Sequence, residues 1–229
     1  MKKGDFIWGA VLVCVVIFLA TPQTHRLFLT ASAGHPYGMA FLKFGVLASM
    51  GELLAIRVVS GDWRKPKGFL WRALIWGVLG MAISLMFVVF DAGVHGAMEK
   101  GYLPSVGGAG ILSALVTAFL ISATMNLVFA PAFMGLHRIT DTWIEMGNGN
   151  LSEMKRQRFS DVLEAADMNG FVSFVVCRTI PLFWIPAHTI TFLLAPEYRV
   201  LAAALLSICL GVILGFSKRK GQKKSYESR

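Results

Sequence analysis

Six side chains are polar or charged yet lie inside long apolar blocks: Glu52, Ser122, Asn126, Arg178, His188 and Thr191. An ionisable group in hydrocarbon is costly, so it normally has a partner, a wet cavity or a function. Glu52 shares a helical face with Gly45, Ala48, Ser49 and Ala55, a small-residue surface of the kind that packs on other helices rather than on lipid. Arg178 is its expected counter-charge, because a guanidinium can grip a carboxylate with two parallel hydrogen bonds. The pair reads as a buried structural bridge, as the lining of a polar cavity or ion pathway, or as snorkelling side chains. Ala118, Ser122, Asn126 and Ala130 recur at every fourth position. That row serves either an interhelical hydrogen bond or a pore-lining strip, and Pro131 just beyond it predicts a kink. Pro181 and Pro186 interrupt a later block that also carries His188 and Thr191. Each proline removes a backbone donor, and broken helices of this kind often border binding sites in transporters. His188 is expected to be a hydrogen-bonded interior histidine, since no second histidine stands at metal-ligand spacing.

These residues must be positioned by membrane spans. Of the 229 residues, 55% are hydrophobic and 15% charged, against about 25% charged in an average soluble domain. That composition excludes a soluble enzyme, a secreted disulfide scaffold and a disordered chain. A crossing helix needs about 20 mainly apolar residues. Six candidates meet this: 6–20, 37–59, 69–90, 110–136, 171–194 and 199–216. The expected fold class is therefore all-α, a polytopic membrane helix bundle forming a single membrane domain over 1–229.

Charge distribution orients the spans. Lys2, Lys3, Arg57, Arg64, Lys65, Lys67, Arg72, Arg138, Lys155, Arg156, Arg158 and the basic tail 218–229 fall on one side. Arg26, Lys43, Lys100 and Arg199 fall on the other. The positive-inside rule then predicts both termini in the cytoplasm. A bacterial inner membrane is the default location and an organelle membrane the alternative. Ala31, Ser32 and Ala33 have the small-residue pattern of a signal-peptide cleavage site, but the apolar stretch ends near Ala20, so a retained anchor is expected.

The segment 137–169 is the one sizeable polar loop. Gly147, Asn148 and Gly149 predict a helix stop, and Asn150 or Ser152 can cap a following helix over 150–168. In it, Phe159, Val162, Leu163 and Ala166 form an apolar stripe, which predicts a cytoplasmic amphipathic helix lying on the membrane surface or against the bundle. Gly211 and Gly215 have the small-xxx-small spacing of close helix contact, within the subunit or in a homo-oligomer. Cys14, Cys177 and Cys209 are expected as small buried hydrophobes. The basic tail predicts attraction to anionic lipid rather than to nucleic acid. Enzyme signatures, cofactor motifs and metal-ligand clusters are missing from the sequence, so no catalytic residue and no cofactor is assigned.

The stretch from Trp184 to Arg199, the run Phe129-Ala130-Pro131 and the pair Gly51-Glu52 together resemble the signatures of a eukaryotic organelle family, the peroxisomal membrane proteins and the mitochondrial inner-membrane protein linked to mitochondrial DNA depletion. Trp184, Phe192, Pro196, Tyr198 and Arg199 match its C-terminal signature, with His188 where the family has Gln and Thr191 where it has Asn. Phe129, Ala130 and Pro131 look like its Phe-Ala-Pro stretch, and Gly51 with Glu52 looks like its Gly-Asp before a basic loop. Gly80 is kept from a further block whose His is absent here. The resemblance spans about 35–217, leaving 1–34 as an additional span and loop. It implies a compact helical membrane protein with channel activity for small solutes. The expected function is a channel or channel-like transporter for small solutes or ions, its polar interior built from Glu52, Asn126, Arg178 and His188 with Ser122 and Thr191 nearby, and Glu52 and Arg178 setting charge preference. The rival is a non-transporting membrane protein that binds lipid or organises partners through 150–168 and the tail; an enzyme acting on lipid stands third.

Overall fold

The computed structural model describes residues 2–108 and 110–227, with side-chain surroundings described as far as Ile213. All regular structure among them is helical: α1 (Lys3–Ala20), α2 (Pro22–Gly34), α3 (Pro36–Ser60), α4 (Phe69–Glu99), α5 (Ile111–Val128), α6 (Ala130–Met146), α7 (Leu151–Arg156), α8 (Phe159–Ala165), the single turn α9 (Met168–Gly170), a π-wound segment (Phe171–Trp184), α10 (Ile185–Leu193) and α11 (Pro196–Glu227). Six stretches are long and apolar enough to cross a membrane, at Lys3–Ala20, Pro36–Ser60, Phe69–Glu99, Ile111–Val128, Met168–Leu193 and Pro196–Ile213.

Helix α3 is the axis of the bundle, flanked by α4 and α11, while α5 pairs with α10 and touches α4. In lipid, apolar side chains gain little by meeting each other, so close approach at small residues decides which helices pair. Gly51 and Gly211 are where α3 and α11 touch. A Cβ at Gly211 would lie 2.8 Å from the Gly51 carbonyl oxygen, and one at Gly51 would lie 3.0 Å from that of Ser207. The small-residue spacing on the last span therefore serves contact within the subunit at Gly211; the surroundings of Gly215 lie outside the described side chains. Across α3, Gly80 of α4 admits Phe44, and a Cβ there would meet the Phe44 Cβ at 2.6 Å.

The ends of the bundle differ. One end, the basic end, gathers the start of α1, the 61–68 loop, the far end of α6 and the 147–170 segment. There Asp5 ties α1 to α3 by accepting from Arg57 Nε at 2.8 Å, from Arg57 Nη2 at 3.1 Å and from Trp63 Nε1 at 2.8 Å. Next to it, Lys2 Nζ stands 2.9 Å from Asp62, whose carboxyl it holds below the usual value. Apart from these ties and a bond from Trp8 Nε1 to the Met50 carbonyl at 3.0 Å, α1 has no buried residue and lies at the rim. The same end closes where Gly68 and Gly149, both at positive φ, bring two turns into backbone contact. A side chain at either position would be strained and would also collide.

Four sequence expectations need correction. The gap between the first two spans is not an open loop: α2 occupies it, with Phe28 buried and His25 bonded to the Tyr198 hydroxyl at 2.8 Å. The helix expected over 150–168 is broken into α7, α8 and α9. Asn150 caps α7, accepting from Ser152 N at 2.9 Å, but Gln157 turns extended and ends it. Of the predicted stripe, Val162 and Ala166 are buried whereas Phe159 and Leu163 are exposed. The proline-bearing fifth span is π-wound, as the bond from the Ile185 N–H to the Ile180 carbonyl five residues back records. Cys14, Cys177 and Cys209 face outward rather than inward, because apolar surroundings in a membrane are found on the outside of the bundle as well. The kink at Pro131 is present as the break between α5 and α6 at Phe129.

Candidate functional site

Helix α5 presents Ser122 and Asn126 to the start of α10, and both are almost wholly buried. Ser122 donates to the Ile185 carbonyl at 2.7 Å. Asn126 Nδ2 donates to the Ser122 carbonyl at 2.8 Å and lies 3.0 Å from His188 Nδ1. Asn126 Oδ1 stands 3.3 Å from the same ring nitrogen, so the amide meets Nδ1 with both of its polar atoms. The Trp184 indole stacks on the His188 ring at 5.1 Å, and Phe87 meets it edge-on at 5.7 Å. Thr191, one turn on, closes its own helix by donating to the Ala187 carbonyl at 3.0 Å. Sequence spacing thus brings Ser122, Asn126 and His188 into one site, with Thr191 beside it on the same helix.

Arg178 is not part of it. The residue is exposed on the π-wound segment, and Glu52 has a different partner, Arg72 of α4, at 3.1 Å. The reason is topological. Helices α3 and α4 are joined by the short 61–68 turn, so the first turn of α4 stands beside the last turns of α3. Arg72 belongs to α4 rather than to the loop, and it is buried.

Three cavities lie along the bundle, and the central one borders Asn126 and His188. The central one, of about 50 Å³, is lined by Asn126, His188, Trp184, Trp76, Phe87 and Met134 among others, and among the described residues His188 is the only ionisable group on its wall. At the basic end a groove of about 760 Å³ opens between α3, α6, α11 and the π-wound segment, with Arg138 and Asp167 at its mouth. Met134 and Trp184 line both. Toward the opposite end a cavity of about 370 Å³ carries Asp91, His95, Thr117 and Arg199. Phe192 lines that one, Phe87 the central one, and their rings meet at 5.0 Å. Arg199 anchors this end by binding Asp91 at 2.7 Å and the Phe192 carbonyl at 3.2 Å.

One unmet donor belongs to the wall of the central space: Trp184 Nε1 is buried with no hydrogen-bond partner among the described residues. An unmet buried donor costs about 1–3 kcal/mol, so an oxygen acceptor held here would relieve it. An ion would lose its hydration to an almost wholly apolar wall, at a cost of several kcal/mol.

The fold and these spans define an all-helical, polytopic integral membrane protein. No family model, no curated protein and no solved structure matches the chain.

Proposed function

We propose that the protein is a channel-like transporter for small uncharged solutes bearing an oxygen acceptor. The observation that supports this is the succession of cavities: Met134 and Trp184 line both the groove and the centre, and Phe87 on the central wall meets Phe192 on the wall of the opposite cavity. In this reading the conformation is closed. A central space of about 50 Å³ holds about one or two waters, so a solute enters only when these side chains move. Trp184 and His188 select an acceptor oxygen, and the apolar wall rejects ions.

The same proposal carries the resemblance to the organelle channel family and assigns no catalytic role to any residue. It places both termini in the cytoplasm of a bacterial inner membrane, on the asymmetry of Lys and Arg, with anionic lipid at the basic tail.

Stopped-flow swelling of proteoliposomes with glycerol and urea, beside a potassium flux measurement, tests this. Wild type is expected to pass the neutral solutes and not potassium, and His188→Leu to lose that flux. Permeability equal to that of empty liposomes would overturn the reading. The second reading, a lipid-binding protein without transport, has its own support in the apolar walls of the groove, where Phe171, Phe174, Val175 and Leu210 face each other.

A further inference from the structure

Four polar side chains meet away from the cavities. Glu52 of α3, Arg72 of α4, and His137 and Asp141 of α6 form a cluster at the basic end. Arg72 Nη1 lies 3.1 Å from Glu52 Oε1 and 3.0 Å from Asp141 Oδ1, the second without hydrogen-bond alignment. Its Nε donates to the Lys67 carbonyl at 3.1 Å. Glu52 Oε2, Asp141 Oδ1 and His137 Nδ1 are all buried with no hydrogen-bond partner among the described residues. His137 Nδ1 points at Asp141 Oδ1 from 3.6 Å.

The charges do not balance. Two carboxylates face one guanidinium, and burial lowers the His137 pKa below its ordinary value of 6.5, against the pull of Asp141. The surrounding charges are already engaged: Arg57 with Asp5, Arg138 with Asp167, and Lys67 with Asn148. One negative charge is therefore in excess, and three acceptor atoms lack a donor among the described residues. A single proton on the carboxylate side of the cluster meets both needs. It neutralises the cluster and supplies a hydrogen bond between groups that now only face each other.

The cluster also borders the central cavity. The His137 ring meets Trp76 edge-on at 4.2 Å, and Trp76 is cavity wall. Met134, at the junction of groove and centre, lies one turn before His137 on α6. We propose that Glu52, Arg72, His137 and Asp141 form a proton-binding site whose occupancy moves α6 and widens the junction at Met134 and Trp184. A proton taken up on the α6 side weakens the hold of Arg72 on Asp141, the contact that draws α6 toward α4. The effect on flux rests on the transport reading; the proton site and the movement of α6 do not.

The test uses the full chain in phospholipid nanodiscs, with Cys14, Cys177 and Cys209 changed to Ala and Met134→Cys as the reporter. Labelling of that thiol by a water-soluble maleimide, corrected for thiol ionisation with a free-thiol standard, is compared at about pH 8 and about pH 5. The expected result is a several-fold faster corrected rate at the lower pH, abolished by Asp141→Asn and by His137→Asn. A rate that does not change with pH overturns the proposal, as does a change that survives both substitutions. Infrared difference spectra of the otherwise unaltered chain supply a second readout should a variant fail to fold. A new protonated-carboxyl or imidazolium band on acidification, with a parallel change in tryptophan emission that Trp76→Phe removes, supports the site, and absence of both overturns it. Should the site titrate while liposomes show no flux, the transport reading falls and the proton site stands.

Discussion

Phe87 of α4 and Phe192 of α10 meet with ring centroids 5.0 Å apart and planes inclined at 50°, the first on the wall of the central cavity and the second on that of the cavity at the opposite end. A hydrophobic constriction excludes water as well as solute. On the proposed transport reading, Phe192→Ala opens this contact without touching Trp184 or His188. Glycerol permeability of proteoliposomes should rise by about tenfold, with a smaller gain for potassium. An unchanged glycerol rate would place the barrier elsewhere.

Arg72 is, among the described residues, the one cation facing both Glu52 and Asp141, so Arg72→Ala leaves two half-buried carboxylates without a counter-charge. Breaking a fully buried pair costs about 3–5 kcal/mol, and partial exposure brings the cost here below that. Thermal unfolding in detergent should show a large drop in Tm, or no folded protein at all. The double variant Glu52→Gln with Asp141→Asn removes the charges together and should be less destabilised than Arg72→Ala.

Acid should weaken the fold through His137. Its pKa in the folded state lies below the ordinary 6.5 because the ring is buried. As pH falls through that ordinary value the unfolded chain takes up the proton first. The stability that His137 contributes is thus complete above about 6.5 and is lost progressively as pH drops toward its folded value. A Tm series against pH should show a steeper acid limb in wild type than in His137→Asn; coincident curves would refute the assignment.

Two glycines make a matched pair. At Gly211 a Cβ would stand 2.8 Å from the Gly51 carbonyl oxygen, whereas at Gly93, inside α4, it would meet nothing within 4 Å. Gly211→Ala should cost about 1–3 kcal/mol through overpacking. Gly93→Ala should gain about 0.5–1 kcal/mol from the helix backbone alone. Unfolding measurements on the two variants in the same detergent separate contact from propensity.

The spans are legible in the sequence because each is a continuous apolar block, and 37–59 differs from Pro36–Ser60 by one residue at each end. Helix α4 runs on past 90 because Asp91 is not a stop signal; it faces Arg199 at 2.7 Å. Helix α2 escapes notice for the opposite reason, since only Phe28 of its thirteen residues is buried. Ser122, Asn126 and His188 can be grouped because helical spacing places the first two on one face and the prolines mark the third. The partner of Glu52 cannot be found that way. Periodicity says which face a residue occupies, not which neighbouring helix covers it, and Arg72 passes for one of several loop cations. His137, Asp141 and Trp76 carry no motif at all; only the packing of α6 against α4 brings them to Glu52. The cavities are spaces between helices, and no local pattern records a space.

The π-wound segment has one further consequence. Fourteen residues, Phe171–Trp184, carry the five-residue bond pattern, whereas most proteins confine it to a single turn. Such a coil is wider and shorter than an α-helix of the same residues. Rewinding even part of it to 3.6 residues per turn lengthens the segment and rotates everything downstream about its axis. Trp184 is the last residue of that coil and the shared wall of two cavities. The segment is built like a screw thread with Trp184 at its tip, so a local change of pitch becomes a turn of the indole between the two cavities it lines.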